Sequence, residues 1–195
     1  MSRLEKVVGT EIIDDIRLGH TWYEYGVLER FIAEQIDSEV FIEIGIHEGG
    51  LSYMLIPRFP ELYYVGVEWS CRWIRPKVKI LFSNSENALL FCFDYYSDVV
   101  ALSIKSMKHK IIYCDGGGKA EELKYFKAFC DSGDILMSHD YHDGVTPIIG
   151  VPAESLHLLP KEVLADDIVH MTEDETFESI AVPFEGTRIV AWRKL

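Results

Sequence analysis

The sequence has no Cys-x-x-Cys pair. Cys71, Cys92, Cys114 and Cys130 stand apart, which argues against a thioredoxin-type redox motif or a zinc site built on paired cysteines. It has no apolar run near the ~20 residues that a membrane-spanning helix needs. Positive charge is scarce: 19 Lys and Arg stand against 32 Asp and Glu, for a formal net charge of −13. Such a surface repels duplex nucleic acid unless a basic run compensates. The longest basic cluster, Lys105 to Lys110, reads as the solvated end of a helix. Internal repeats and low-complexity linkers are missing too, so the 195 residues read as one domain able to bury a sizeable core. Met1 to Lys6 does not read as a signal peptide, and the cysteines are expected as reduced core thiols, which gives a cytoplasmic expectation. No interface stripe stands out, and homo-oligomerisation stays open.

What is present is alternation. Residues 10–36 carry Ile12, Ile13, Ile16, Val27, Leu28, Phe31, Ile32 and Ile36 at helical spacing, within an expected N-terminal helical segment 1–38 that breaks near Gly19 to Tyr25. Strands are expected at 39–44, 63–67, 89–93, 111–114 and 135–138, with helices at 71–86, 97–107 and 121–130. Glu178 to Pro183 and Thr187 to Trp192 read as a closing antiparallel hairpin. The pattern specifies an α/β fold, Rossmann-like and doubly wound, with a mostly parallel seven-stranded sheet and an antiparallel C-terminal hairpin strand. Residues 141–176 form an insertion after the fifth strand, either a substrate lid or an irregular connection. Sheets of this kind bind ligands beyond the carboxyl ends of their strands. The strands end in Glu43, Glu68, Asp94, Asp115 and Asp140, a succession harder to ascribe to the turn preference of Asp than any one of them.

Residues 40–50 are the most informative. An apolar strand carries Glu43 near its end and enters a loop with Gly45, His47, Gly49 and Gly50. Glycines let the backbone turn sharply and approach a ligand. A carboxylate there repels phosphate but attracts an ammonium and accepts hydrogen bonds from hydroxyls. The loop therefore suits a cationic cofactor without phosphate, and S-adenosylmethionine is the candidate. A nicotinamide dinucleotide suits it less, because the loop lacks Gly-x-Gly-x-x-Gly and puts Glu43 where pyrophosphate would approach.

Over residues 25–195 the chain resembles the class I S-adenosylmethionine-dependent methyltransferases. Glu43-x-Gly45-x-x-x-Gly49 resembles their first motif; Glu68, 25 residues on, matches the acid that binds the ribose hydroxyls, and Asp94, 26 further, the acid near the adenine. Tyr113-Cys114-Asp115-Gly116-Gly117 and Gly133 to Tyr141 resemble the group of cephalosporin-hydroxylase-like proteins and sugar O-methyltransferases, whose fourth strand ends Asp-Gly and fifth ends His-Asp. The resemblance implies methyl transfer to a hydroxyl of a small molecule, a sugar or glycosylated metabolite. It also implies a cofactor site that includes Glu43, Gly45, Gly49, Glu68, Asp94 and Asp115, and a magnesium-type ion on Asp115 and Asp140. From their positions, Trp69 joins the cofactor site if it stacks on adenine, and His47, inside the glycine loop, either meets the cofactor's carboxylate or faces solvent. The chain departs from its relatives where Gly118 and Lys119 replace a histidine shortly after the Asp-Gly.

A hard divalent cation held by carboxylates lowers the pKa of a bound hydroxyl. Asp115 and Asp140 are the first ligands, with His139, His142 or Asp143 as a third; histidine ligation would favour manganese, iron or zinc. Without a metal, Asp115 caps a loop and Asp140 orders a strand end. His139, His142 and Lys119 compete as general base, His139 ahead because Asp140 adjoins it; Lys119 reads equally as an exposed residue at a helix start. Trp22, Tyr23 and Tyr25 either line the pocket or pack, and Trp69 either stacks on adenine or is buried. A non-catalytic or differently reacting S-adenosylmethionine binder stands as the rival reading.

Overall fold

The computed structural model describes residues 12–20, 22–142, 163–180 and 188–195. Strands β1 (Ile12–Ile13) and β2 (Ile16–Arg17) precede helix α1 (Trp22–Glu34). Then come β3 (Val40–Ile44), α2 (Gly50–Arg58), β4 (Tyr63–Val67), α3 (Pro76–Asn84), β5 (Ala88–Phe91), α4 (Asp98–Ser106), β6 (Lys110–Cys114), α5 (Lys119–Phe126) and β7 (Ile135–Ser138). After β8 (Tyr141–His142) and β9 (Val163–Leu164) follow α6 (Val169–Thr172), β10 (Phe177–Ser179) and β11 (Val190–Lys194).

Seven strands form one sheet in the order β10-β11-β7-β6-β3-β4-β5. β3 to β7 pair in parallel, and β11 runs antiparallel to both β7 and β10. The expected doubly wound sheet with its reversed closing strand is therefore present. Alternation along the strands builds two cores. Phe41, Tyr64, Ile111, Tyr113, Ile135 and Met137 face one side and pack with Leu28 and Phe31 of α1, Leu51 and Leu55 of α2 and Val78 of α3. Ile42, Ile44, Val65, Val67, Ile112 and Leu136 face the other, with Val100 and Ile104 of α4 and Leu123 and Phe126 of α5.

Four expectations are corrected. The helix expected over 10–36 begins only at Trp22; ahead of it β1 and β2 form a hairpin, turned at Asp14 and Asp15 with φ 47° and 66°. Two successive positive φ values are what a tight type I′ turn requires, and Ile12, Ile13 and Ile16 serve strand faces instead of a helical stripe. Helix α3 starts at Pro76, where a proline's missing N–H costs nothing, so residues 71–75 are turn and not helix. Cys71 and Cys92, expected as thiols, form a disulfide with Cα atoms 5.5 Å apart; they follow the adjacent strands β4 and β5, so proximity comes from sheet pairing and not from sequence spacing. Cys114 and Cys130 are free, and the buried Cys114 matches the core-thiol expectation. Finally, Lys110 is no solvated helix end: it is fully buried and ion-paired with buried Asp134.

Of the insertion, 143–162 lie outside the described residues; β8 and β9 flank them as a parallel pair, and the acidic stretch forms a 3-10 turn and the short α6. No described helix is long and apolar enough to cross a membrane.

Candidate active site

The strand order turns at β3. β4 and β5 extend to one side and β6 and β7 to the other, so the loops after β3 and β6 part at the carboxyl edge of the sheet. A cavity of about 360 Å³ opens there, within the range of small-ligand sites. Its wall includes Glu43, Gly45, His47, Glu68 and Trp69 on one side and Asp115, His139 and Asp140 on the other.

Gly45 makes the crevice narrow. Its φ is +89°, and a Cβ on it would lie 2.4 Å from Gly116 Cα and 2.7 Å from the Asp115 oxygen, so only glycine lets the two loops touch. Gly49, with φ +91°, packs against Val78 of α3 and is not part of the wall. The buried Glu68 carboxylate accepts the His47 N–H at 2.8 Å and the Ser70 N–H at 3.3 Å, locking the β4 loop to the glycine loop. Glu43 points to the core, where Ser52 Oγ (2.5 Å) and Tyr64 hydroxyl (2.6 Å) donate to it. Burial outweighs these two bonds and pushes its carboxyl up to about 8. Trp69 is 59% exposed and lines the wall, with the Arg72 guanidinium 5.8 Å from its ring centre. Asp94 is not in the wall: exposed, it accepts the Tyr96 N–H at 3.0 Å as a turn residue before α4, and Tyr95 lines the cavity in its place. Trp22 and Tyr23 are exposed on α1, and the buried Tyr25 packs in the core; none of the three is in the wall.

Across the crevice lies a dense charge cluster. His139 Nδ1 is 3.1 Å from Asp115 Oδ1 and 3.5 Å from Asp140 Oδ1. Lys119 Nζ lies 3.0 Å from Asp140 Oδ2 and 3.6 Å from Asp115 Oδ1, and donates to the Gly116 carbonyl at 2.8 Å. Arg188 donates from Nη1 to Asp140 (2.5 Å), and from Nε (2.9 Å) and Nη2 (3.2 Å) to the two oxygens of Glu24. Asp140 has φ +58°, a strained left-handed backbone that an L residue adopts only when its surroundings over-determine it. Beside them His20 stacks on His139 at 4.2 Å between ring centres, with Nε2 2.7 Å from the Tyr113 hydroxyl. Glu122 takes the N–H groups of Gly116 (3.1 Å) and Gly118 (3.2 Å), which fixes the loop that carries Asp115.

The two histidines are pushed apart in pKa. Burial, then the neighbouring His139, pulls His20 down to about 4, so it is neutral at pH 7. Burial also pulls on His139, but the carboxylates of Asp140 and Asp115 outweigh it and hold it up to about 9. Burial would raise the Asp115 and Asp140 carboxyls; the charge of His139, joined by Lys119 and, for Asp140, Arg188, wins and holds both below the usual carboxylate range.

A divalent ion on Asp115 and Asp140 does not fit these contacts. Asp140 spends one oxygen on Arg188 and the other on Lys119, and Asp115 Oδ1 faces His139 and Lys119. His20, Asp115 and His139 do bring three potential ligand atoms within 4.8 Å of one another, but His20 Nε2 is engaged by the Tyr113 hydroxyl and His139 Nδ1 by Asp115. His139 Nε2 is buried without a hydrogen bond among the described residues, 3.6 Å from Glu24 Oε1. The side chain of His142, and Asp143 altogether, lie outside the described residues.

Sequence reasoning missed His20, Glu24, Arg188, Arg17 and Glu122. Glu24 and Arg188 are 164 positions apart, and no local pattern announces that pairing. Glu122 was legible as the acid four residues after Gly118, in the first turn of α5, where carboxylates meet free N–H groups.

No family model matches the chain, and no curated protein matches it. Among solved structures, the apo structure of CmcI-N160 aligns with 96% of this chain and 77% of its own, at TM-score 0.64 and 12% identity. The O-methyltransferase TomG from Streptomyces achromogenes, in complex with SAM, aligns with 88% of this chain and 79% of its own, at 0.54 and 15%. MtNAS in complex with MTA and tNA covers 89% of this chain and 61% of its own, at 0.53 and 14%. At such identities the likeness speaks for architecture, and with the strand order above it establishes that this chain has the fold of the class I S-adenosylmethionine-dependent methyltransferases.

Proposed function

We propose that this protein is an S-adenosylmethionine-dependent O-methyltransferase acting on a hydroxyl of a small molecule, a sugar or glycosylated metabolite. The observation that carries the reading is the cavity at the sheet's turning point. Its wall combines a glycine loop, a buried acid at the end of β4 and the exposed Trp69 with a carboxylate pair at the ends of β6 and β7. S-adenosylmethionine supplies a methyl group on a positive sulfur. Glu68 suits the ribose hydroxyls, Trp69 a stacked adenine, and Arg17, which also lines the cavity, a carboxylate.

Displacement at the methyl carbon breaks its bond to sulfur and forms one to the acceptor oxygen, so alignment supplies much of the rate. The acceptor's hydroxyl becomes strongly acidic as the new bond forms, so even a weak base can take its proton. Asp115 is that base: its carboxylate is at the wall, and His139, held as an imidazolium at neutral pH, orients it. His139 thus acts as a donor in this reading and not as the proton acceptor. The test is incubation with methyl-labelled S-adenosylmethionine and a panel of hydroxylated sugars. Label should enter an acceptor, and Asp115→Asn should slow transfer about 100-fold or more while sparing cofactor affinity. Intact cofactor binding with no transfer to any acceptor would favour the non-catalytic binder.

A further inference from the structure

Lys119 is expected from the sequence either as a catalytic base or as an exposed residue at a helix start; the fold places it at the start of α5 but buries it. It is 4% exposed, and its ammonium lies under the loop after β6, against oxygens from both Asp115 and Asp140. Those two acids end neighbouring parallel strands, so pairing of β6 with β7 forces two carboxylates together in a buried place. Like charges so placed repel strongly unless a cation lies between them. Lys119 is that cation, fixed by its bond to the Gly116 carbonyl and by the first turn of α5. Arg188 takes the remaining face of Asp140 and reaches on to Glu24. With His139 the cluster sets three basic side chains against the three acids Glu24, Asp115 and Asp140. A divalent ion added to this arrangement would bring excess positive charge and would have to displace one of the bound cations first.

We propose that the Lys119 ammonium is the resident cation of this site, standing where a divalent metal would bridge Asp115 and Asp140. Lys119 is then a positioning residue, and the methyl transfer proposed above, on which this last clause rests, proceeds without a metal. The acceptor is held by the hydrogen bond its hydroxyl donates to Asp115 and not by chelation, which favours a neutral hydroxyl compound over an anion.

The proposal is tested with manganese(II) alone, by paramagnetic resonance and by thermal unfolding, on the full chain without cofactor. The wild type should show neither saturable binding nor a shift in Tm at millimolar Mn²⁺. Lys119→Ala, which frees the carboxylates, should gain one Mn²⁺ per chain and a Tm that rises by roughly 5 °C with the metal. That gain should vanish in Lys119→Ala/Asp140→Asn, and Lys119→Arg, which keeps a cation, should stay silent. Stoichiometric Mn²⁺ binding to the wild type, lost on Asp115→Asn or Asp140→Asn, would overturn the proposal. So would a folded Lys119→Ala that gains nothing. Should Lys119→Ala not fold, the wild-type and Lys119→Arg titrations still decide. None of these readouts involves S-adenosylmethionine, so their failure is separate from a failure of methyl transfer.

Discussion

Replacing Arg188 with methionine lowers stability by about 3–5 kcal/mol and Tm by roughly 10 °C. Arg188 is 3% exposed and joins β11's approach to two other elements: Glu24 on α1 and Asp140 after β7. Methionine fills similar volume, so the loss is electrostatic. Glu24 and Asp140 each lose a bonded cation while still buried, and uncompensated buried charge is the costly outcome. A urea titration measures it; a loss below about 1 kcal/mol would mean that Lys119 and His139 alone neutralise the cluster. The pH dependence gives a second signature. For Glu24, burial favours the neutral acid, but His139 and Arg188 overcome it and hold the folded pKa below the ordinary 4.5. Its stabilising contribution is therefore present above pH 4.5 and lost as pH falls. His139 has the opposite sign: its contribution is full below 6.5 and lost as pH rises through about 9. Glu43 and Glu122, raised mainly by burial to about 8 and about 7, add losses that begin as pH rises past 4.5 and are complete once each folded carboxyl ionises. In Arg188→Met the acid limb should move to higher pH, because Glu24 loses one of the cations that keep it ionised.

Replacing Gly45 with alanine abolishes cofactor binding and destabilises the fold by several kcal/mol. Two independent effects combine. The φ of +89° suits glycine, and a side chain there is strained at about 1–2 kcal/mol. The added Cβ would also meet Gly116 Cα at 2.4 Å and Asp115 O at 2.7 Å, both backbone atoms that cannot rotate away. Relief requires the loops after β3 and β6 to part, which breaks the hydrogen bond from Asp115 N–H to the Ile44 carbonyl (2.8 Å) and moves Asp115. Gly117 provides the comparison, since a Cβ there meets nothing within 4 Å, and Gly117→Ala should bind S-adenosylhomocysteine like the wild type. Near-native affinity in Gly45→Ala would show that the crevice is not the cofactor site.

The sheet was legible because parallel strands buried on both faces are short apolar runs, and β3, β4, β6 and β7 read that way directly. The acids at the strand ends were legible for the same reason: a polar residue closing such a run marks the sheet's edge. Direction and burial were not. Asp94 closes a run like Glu68 does, yet its carboxylate folds back on Tyr96 because the chain turns there into α4. Lys119 reads as a surface residue until β7 brings Asp140 beside it. Ile12, Ile13 and Ile16 suit a helix until two left-handed aspartates fold them into a hairpin that lays Arg17 and His20 by the cavity and its charge cluster. The Cys71–Cys92 disulfide likewise follows from strands paired in space. The disulfide and the Lys119 contacts with Asp140 are partnerships between distant segments, which local pattern does not encode; the hairpin and the Asp94 turn are local, and apolar spacing does not register the backbone turn that makes them.

The central claim is that the cavity holds S-adenosylmethionine, and calorimetric titration of chelator-treated protein tests it most directly. S-adenosylmethionine and S-adenosylhomocysteine should each bind saturably at one site per chain, with Trp69→Ala weakening both about tenfold and NADH giving no heat. Saturable NADH binding with silence toward both sulfur compounds, under chelation and with magnesium restored, would contradict the account and leave only the fold.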